Sequence, residues 1–235
     1  MKKYLILIII VFLFILAGCN SNENPPVDEE DEIIDVEEED KEDEKENEKE
    51  DEDEKEKEDE EEDMENPIIK IILTDEREIV IELYREIAPI TVANFIKLVD
   101  EKYFDGVIFH RVIENFMIQS GGYYLDSNTI REKPNRPTIK GEFSANKIPN
   151  DLKHELGVIS MARSSLKNSA STQFFICSAT SPHLDGNYAA FGKAIDEASI
   201  NVILELHKVP TVFVSNAFAN FPAVPITIKT IIRAN

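Results

Sequence analysis

The chain has 235 residues and a formal net charge of −22, with 47 Asp and Glu against 25 Lys and Arg and only two cysteines, Cys19 and Cys177. An excess of anions on this scale repels phosphate backbones and argues against nucleic acid as a partner. Cys19 lies in the leader region, so no disulfide can form within the remainder, which excludes a disulfide-stapled scaffold.

In chain order, Lys2 and Lys3 precede an apolar run from Tyr4 to Leu16 that meets Ala17-Gly18-Cys19. A basic start, a short apolar stretch and a small-residue end have the form of a secretory signal. The run is shorter than the roughly twenty residues that span a bilayer. Leu16-Ala17-Gly18-Cys19 resembles a bacterial lipobox. That resemblance implies that residues 1–18 are a lipoprotein signal peptide cut before Cys19, whose thiol is the nucleophile that takes a diacylglyceryl group. An ordinary cleaved signal with an incidental cysteine and an uncleaved anchor are the alternatives. Lipidation would hold the chain at the cell membrane on its extracytoplasmic side, two acyl chains gripping firmly where one would not.

From Asn20 to Asn66 the sequence carries about 29 Asp and Glu against about 5 Lys, which accounts for essentially the whole net charge. Apart from Val27, Ile33, Ile34 and Val36 it has almost nothing to bury and so cannot offset the entropy of folding. Residues 19–66 are therefore expected to be the lipidated cysteine and an acidic, solvated tether. Glu and Lys three and four apart also allow a marginal helix. A neutral coil of this length would span about 35 to 40 Å, and self-repulsion stretches it further. Cation or basic-client binding by the acidic run is a second possibility.

Residues 67–235 balance their charges and suffice for one domain with a core. Ile68–Leu73 and Glu78–Tyr84 are β-branched runs around Thr74-Asp75-Glu76-Arg77 and predict a hairpin. After Ala88-Pro89, apolar residues at Val92, Phe95, Ile96 and Val99 predict an amphipathic helix stopping near Asp105-Gly106. Strands are predicted at Val107–Val112, Met117–Gln119, Gly157–Ala162, Phe174–Ser178, Ala190–Lys193 and Ile226–Ile232, with a second helix around Glu197–Lys208. Many short strands and two helices fit an antiparallel barrel or, from pattern alone, a β-sandwich. Cys177 sits in an apolar strand and reads as a small buried thiol. His110, His154, His183 and His207 lack ligand spacing, so neither a metal nor a cofactor is expected.

Several motifs recur in order: Phe109-His110-Arg111-Val112-Ile113, Phe116-Met117-Ile118-Gln119, Gly157 through Arg163, Gln173-Phe174-Phe175-Ile176, and His183-Leu184-Asp185-Gly186-Asn187-Tyr188 running on to Lys193. Together, from about Ile68 to the C-terminus, they resemble the cyclophilin family of peptidyl-prolyl cis/trans isomerases. The resemblance implies a mainly β fold, a closed eight-stranded antiparallel barrel capped by two α-helices. It implies Arg111 as the catalytic residue and Phe116, Met117, Phe175 and Leu184 as a proline pocket. Gln119 would bond substrate backbone, Ala162 would let that backbone approach, and the backbone of Arg163 would pair with it. Gln173 would be a wall residue, with a strand-capping role nearly as well supported. His183 stands where many eukaryotic members carry tryptophan and Tyr188 where they carry histidine, both counted as substrate-binding here. His110, on the opposite strand face from Arg111, reads as support. Beyond Gln119, the Tyr123–Asp126 and Lys133–Pro137 stretches depart from the family's glycine-rich loop, so no contacts carry over. Ser171-Thr172 likewise replaces a common Gly-Ser.

The implied activity is rotation of X-Pro bonds in exported or surface proteins by a monomeric, lipid-anchored enzyme whose partners are proline-containing polypeptides and the membrane. A tethered chaperone or Pro-peptide binding module with little turnover is the alternative. A third is a scaffold in which the acidic tether is the active part.

Overall fold

The computed structural model describes residues 65–134 and 136–234. The leader, Cys19 and the acidic run as far as residue 64 lie outside the described residues. Asn66 already belongs to the domain's bonding, since its amide oxygen accepts from the Arg85 N–H at 3.2 Å.

Thirteen strands and two helices make up the described region: β1 (Ile68–Leu73), β2 (Glu78–Leu83), α1 (Pro89–Asp100), β3 (Ile108–Phe109), β4 (Arg111–Ile113), β5 (Met117–Ser120), β6 (Tyr123–Asp126), β7 (Thr129–Glu132), β8 (Val158–Met161), β9 (Phe174–Cys177), β10 (Ala190–Ala194), α2 (Glu197–Leu206), β11 (Thr211–Val212), β12 (Phe221–Pro222) and β13 (Ile226–Arg233). Nine strands form one antiparallel sheet in the order β3-β13-β1-β2-β10-β8-β9-β5-β4. A single sheet curling back on itself is a barrel, not a sandwich. The expected count of eight is corrected to nine, and the expected full closure to a barrel with one unsealed seam. The physical reason is His110. Strands β3 and β4 are one run of chain divided at that residue: the first part pairs with β13 and the second with β5. The two ends of the sheet thus meet through the chain itself, without a ladder between them.

Inside the barrel, Phe95 of α1 stacks on Phe104 at 5.0 Å and meets Phe174 and Phe191 at 5.4 and 5.3 Å. The three-and-four spacing of Val92, Phe95, Ile96 and Val99 buries this helix face. Helix α1 ends at Asp100, short of the expected Asp105-Gly106, and turns occupy the interval. It has no capping side chain of its own. Instead the buried carboxylate of Glu142 accepts from the N–H groups of Ile90 (3.0 Å) and Thr91 (2.8 Å) and from the Thr91 hydroxyl (2.7 Å), an anion where the helix dipole favours one. Helix α2 is capped by Asp196, which accepts from Ser199 N–H at 2.7 Å. The Ser199 hydroxyl in turn accepts from Val80 N–H and ties α2 to β2.

The β6–β7 hairpin was not expected. It turns through Ser127 and Asn128, both at positive φ, the backbone a tight hairpin requires. Between this hairpin and the segment carrying β11 and β12 lies an apolar groove of about 630 Å³. Among the described residues no helix is long and apolar enough to cross a membrane.

His110 is 3% exposed, its ring edge-on to Tyr123 at 4.8 Å. Burial pushes its pKa down to about 4 from 6.5, with the neighbouring Arg111 charge adding to the shift. The unfolded chain therefore takes up this proton first. The stabilising contribution is complete above pH 6.5 and is lost as pH falls toward 4. Urea unfolding at pH 7 and pH 4 should show a loss of about 3 kcal/mol from this group that is missing in His110→Gln.

Candidate functional site

Successive residues of a strand face opposite ways, and four adjacent strands of the barrel do so in phase. On β4, β5, β8 and β9, Val112, Ile118, Ile159, Phe174 and Ile176 enter the main core. The alternate residues Met117, Phe175 and Cys177 join Leu184 in a separate buried cluster, against which Ile113, Phe116, Ala162 and Tyr188 pack. Pairing sets their order. Arg111 stands opposite Gln119, Gln119 opposite Phe175, and Phe175 opposite Ser160. The next row holds Ile113, Met117 and Cys177. One outer face of the barrel therefore carries a cation, an amide and an apolar cluster side by side.

Arg111 is half-buried, and that burial lowers its pKa from the ordinary value, yet a guanidinium stays charged. Its Nη1 donates to Gln119 Oε1 at 3.2 Å, and Cζ lies 6.0 Å from the Phe116 ring centroid. Among the described residues it has no carboxylate partner. Gln119 Nε2 donates to Gln173 Oε1 at 2.9 Å. The amide pair thus orients the cation without neutralising it, and Gln119 Nε2 has one more hydrogen to donate. The approach of Gln173 depends on Gly121, at φ +89, where a Cβ would meet Thr172 O at 2.3 Å and Gln173 Cα at 2.7 Å.

The remaining expected residues lie around this cluster or beside it. His183, in the turn Pro182–Leu184, lies against Phe116 with ring centroids 5.3 Å apart, and Tyr188 meets Phe175 edge-on at 5.8 Å. Ala162 borders the pocket, but its N–H donates to Gln173 O. The side chain of Arg163 does not enter the pocket cluster. It lies over the rings of Tyr188 (4.6 Å) and Phe143 (5.1 Å) and donates to Asn187 O and Ser164 O. Ile113 and Cys177 were not anticipated as pocket residues, although each stands two places from an expected one on the same strand. Burial pushes the Cys177 thiol up to about 12. A cavity of about 420 Å³, lined by Ala162, Gln173, Gly122, Lys133, Arg136 and Ser169 among others, adjoins the cluster at Ala162.

The family model described as cyclophilin type peptidyl-prolyl cis-trans isomerase/CLD matches residues 68–232. The chain belongs to this family. Among the relatives of this cyclophilin, peptidyl-prolyl cis-trans isomerase A of Dickeya dadantii is 37% identical over 145 residues, covering 61% of this chain and 72% of its own. An Acinetobacter baylyi peptidyl-prolyl cis-trans isomerase is 41% identical over 143 residues, 59% of this chain and 71% of its own. Peptidyl-prolyl cis-trans isomerase B of Bacillus subtilis is 43% identical over 122 residues, 52% and 79%. The crystal structure of a Cryptosporidium parvum cyclophilin type peptidyl-prolyl cis-trans isomerase in the presence of the dipeptide Ala-Pro superimposes with a TM-score of 0.58 at 27% identity, covering 72% of this chain and 99% of that one.

Replacing Gln173 by Leu keeps the wall's bulk but releases the Gln119 amide. The kcat/KM for an X-Pro peptide should fall about tenfold, the worth of roughly one hydrogen bond to a polar site, with the thermal unfolding temperature changed by only a few degrees.

Proposed function

We propose that this protein is a lipid-anchored peptidyl-prolyl isomerase that works outside the cytoplasm, as a monomer, on proline-containing segments of exported or surface proteins and so assists their folding. Its reaction is peptidyl-prolyl cis-trans isomerisation, EC 5.2.1.8. The observation that carries the site assignment is the coincidence, on one outer barrel face, of an unneutralised Arg111 with the separate cluster of Met117, Phe175 and Leu184.

The barrier to be lowered, about 18 to 20 kcal/mol, is the resonance between amide nitrogen and carbonyl. Phe116, Met117, Phe175 and Leu184 would receive the pyrrolidine ring, as the relative crystallised with Ala-Pro makes reasonable. Gln119 would hold a substrate carbonyl through its spare N–H. As the C–N bond twists, the proline nitrogen becomes pyramidal and regains a lone pair, which the Arg111 guanidinium can then meet as donor. That interaction exists in the transition state and not in the planar amide, so it accelerates rotation selectively. Simply holding a proline ring would need the pocket but not the guanidinium, which favours the enzyme over a binding module. The residue preceding the X-Pro pair would have room in the cavity beyond Ala162 and Gln173.

The extracytoplasmic placement rests on the leader and Cys19 in the sequence. The acidic tether would act as a spacer between lipid and domain.

Arg111→Ala should lower kcat/KM for a short X-Pro peptide by on the order of a hundredfold or more, with peptide affinity largely kept. Equal turnover by wild type and variant would overturn the mechanism. In a bacterial host fed labelled palmitate, the wild-type chain should carry label and sediment with membranes. Cys19→Ala should do neither, and a Cys19→Ala protein that still carries label would refute the anchor.

A further inference from the structure

Phe175, the central ring of the pocket, has a second aromatic neighbour besides Tyr188. The imidazole of His154 lies nearly parallel to it, 18° between planes and 6.0 Å between centroids. His154 is 1% exposed and is bonded at both ring nitrogens. Nδ1 is 3.0 Å from Asp185 Oδ1, and Nε2 is 3.0 Å from Ser160 Oγ. Asp185 Oδ1 also accepts the backbone N–H of His154 at 2.9 Å, so the carboxylate fixes both ring and main chain. A carboxylate only accepts, which places the imidazole proton on Nδ1 and leaves Nε2 as a lone pair for the Ser160 O–H.

Serine, histidine and aspartate here follow the atom order of an acyl-transfer relay. Ser160, however, is fully buried and sits opposite Phe175 in the β8–β9 register. A substrate carbonyl cannot reach it, so these three residues do no acyl transfer; what they do touch is the face of Phe175.

We infer that His154, held between Asp185 and Ser160, is a positioning residue whose neutral form fixes Phe175 where the proline ring is received. This rests on the assignment of Phe175 to the proline pocket. Protonation at Nε2 turns that atom from acceptor to donor. The Ser160 oxygen must then accept from Nε2 while its own hydrogen turns away, and among the described residues that hydrogen has no other acceptor. The ladder between β8 and β9 carries that change to Phe175.

The charges around His154 oppose one another. Burial holds its pKa below the ordinary value, while the hydrogen bond and charge of Asp185 raise it and His183 and Lys153 lower it. Lys153 Nζ lies 3.8 Å from Asp185 Oδ2, and Lys193 pairs with Glu155 next door at 2.9 Å. Cys177, on β9, keeps its proton at neutral pH.

The test uses the full chain in detergent. It measures kcat and KM for an X-Pro peptide from pH 4.5 to 8, with imidazole NMR following His154 itself. At pH 8 the wild type should turn over; failure there sinks the pocket assignment and this inference with it. Given that activity, kcat/KM should drop at least fivefold as His154 protonates, chiefly through KM, because Phe175 grips the ring in ground and transition states alike. Asp185→Asn keeps an accepting oxygen but removes the anion. His154 should then titrate lower, having lost the Asp185 charge that raises it, and the acid limb should move with it. His154→Gln should lose the limb. A His154 that does not titrate above pH 4.5, a rate unchanged through its titration, or a limb that ignores Asp185→Asn would each overturn the inference. The wild-type and Asp185→Asn profiles decide it even if His154→Gln fails to fold.

Discussion

Adjacent residues on a strand cannot share a face, and on β9 this divides Phe174 and Ile176 from Phe175 and Cys177. The inward set is held by rings from elsewhere in the chain: Phe174 meets Phe95, Phe104 and Phe109 at 5.4, 5.5 and 6.4 Å. A one-residue slip would put Phe175 into that cluster and Phe174 into the pocket, so the buried rings enforce the register. Through the pairings to β5 and β4, the same phase reaches Met117, Gln119 and Arg111. The core therefore aims the outer face.

On that face, a desolvated cation is held by neutral dipoles. A carboxylate beside Arg111 would bind it more tightly and neutralise it, and a buried pair of that kind costs much in desolvation. Two glutamines in series avoid both effects. They fix direction while leaving the charge available, and Gly121 lets the second come close enough to reach the first.

Much of this was legible in the sequence, for identifiable reasons. The strands around Met117, Val158 and Phe174 and the buried stripe of α1 follow from local periodicity. The division at His110 was not legible, because it reflects which neighbour each half-strand pairs with. The β6–β7 hairpin left a local sign, Asp126-Ser127-Asn128 between Tyr-Tyr-Leu and Thr-Ile-Arg, hidden by the unfamiliar stretch around it. An isolated apolar residue on a strand reads equally as core or pocket, so family likeness, not spacing, nominated Phe175 and Leu184. Contacts made across the fold, such as Glu142 capping α1 or Arg163 lying over Phe143 and Tyr188, have no signature along the chain at all.

The cysteine buried with Met117, Phe175 and Leu184 bears on the protein's chemical durability. A thiol meets oxidants and electrophiles through its thiolate. Burial raises the Cys177 pKa to about 12, so at neutral pH it stays a thiol. The cluster thus holds a small, polarisable sulfur that is buried as well as un-ionised, and so is sheltered from reagents in solution on both counts.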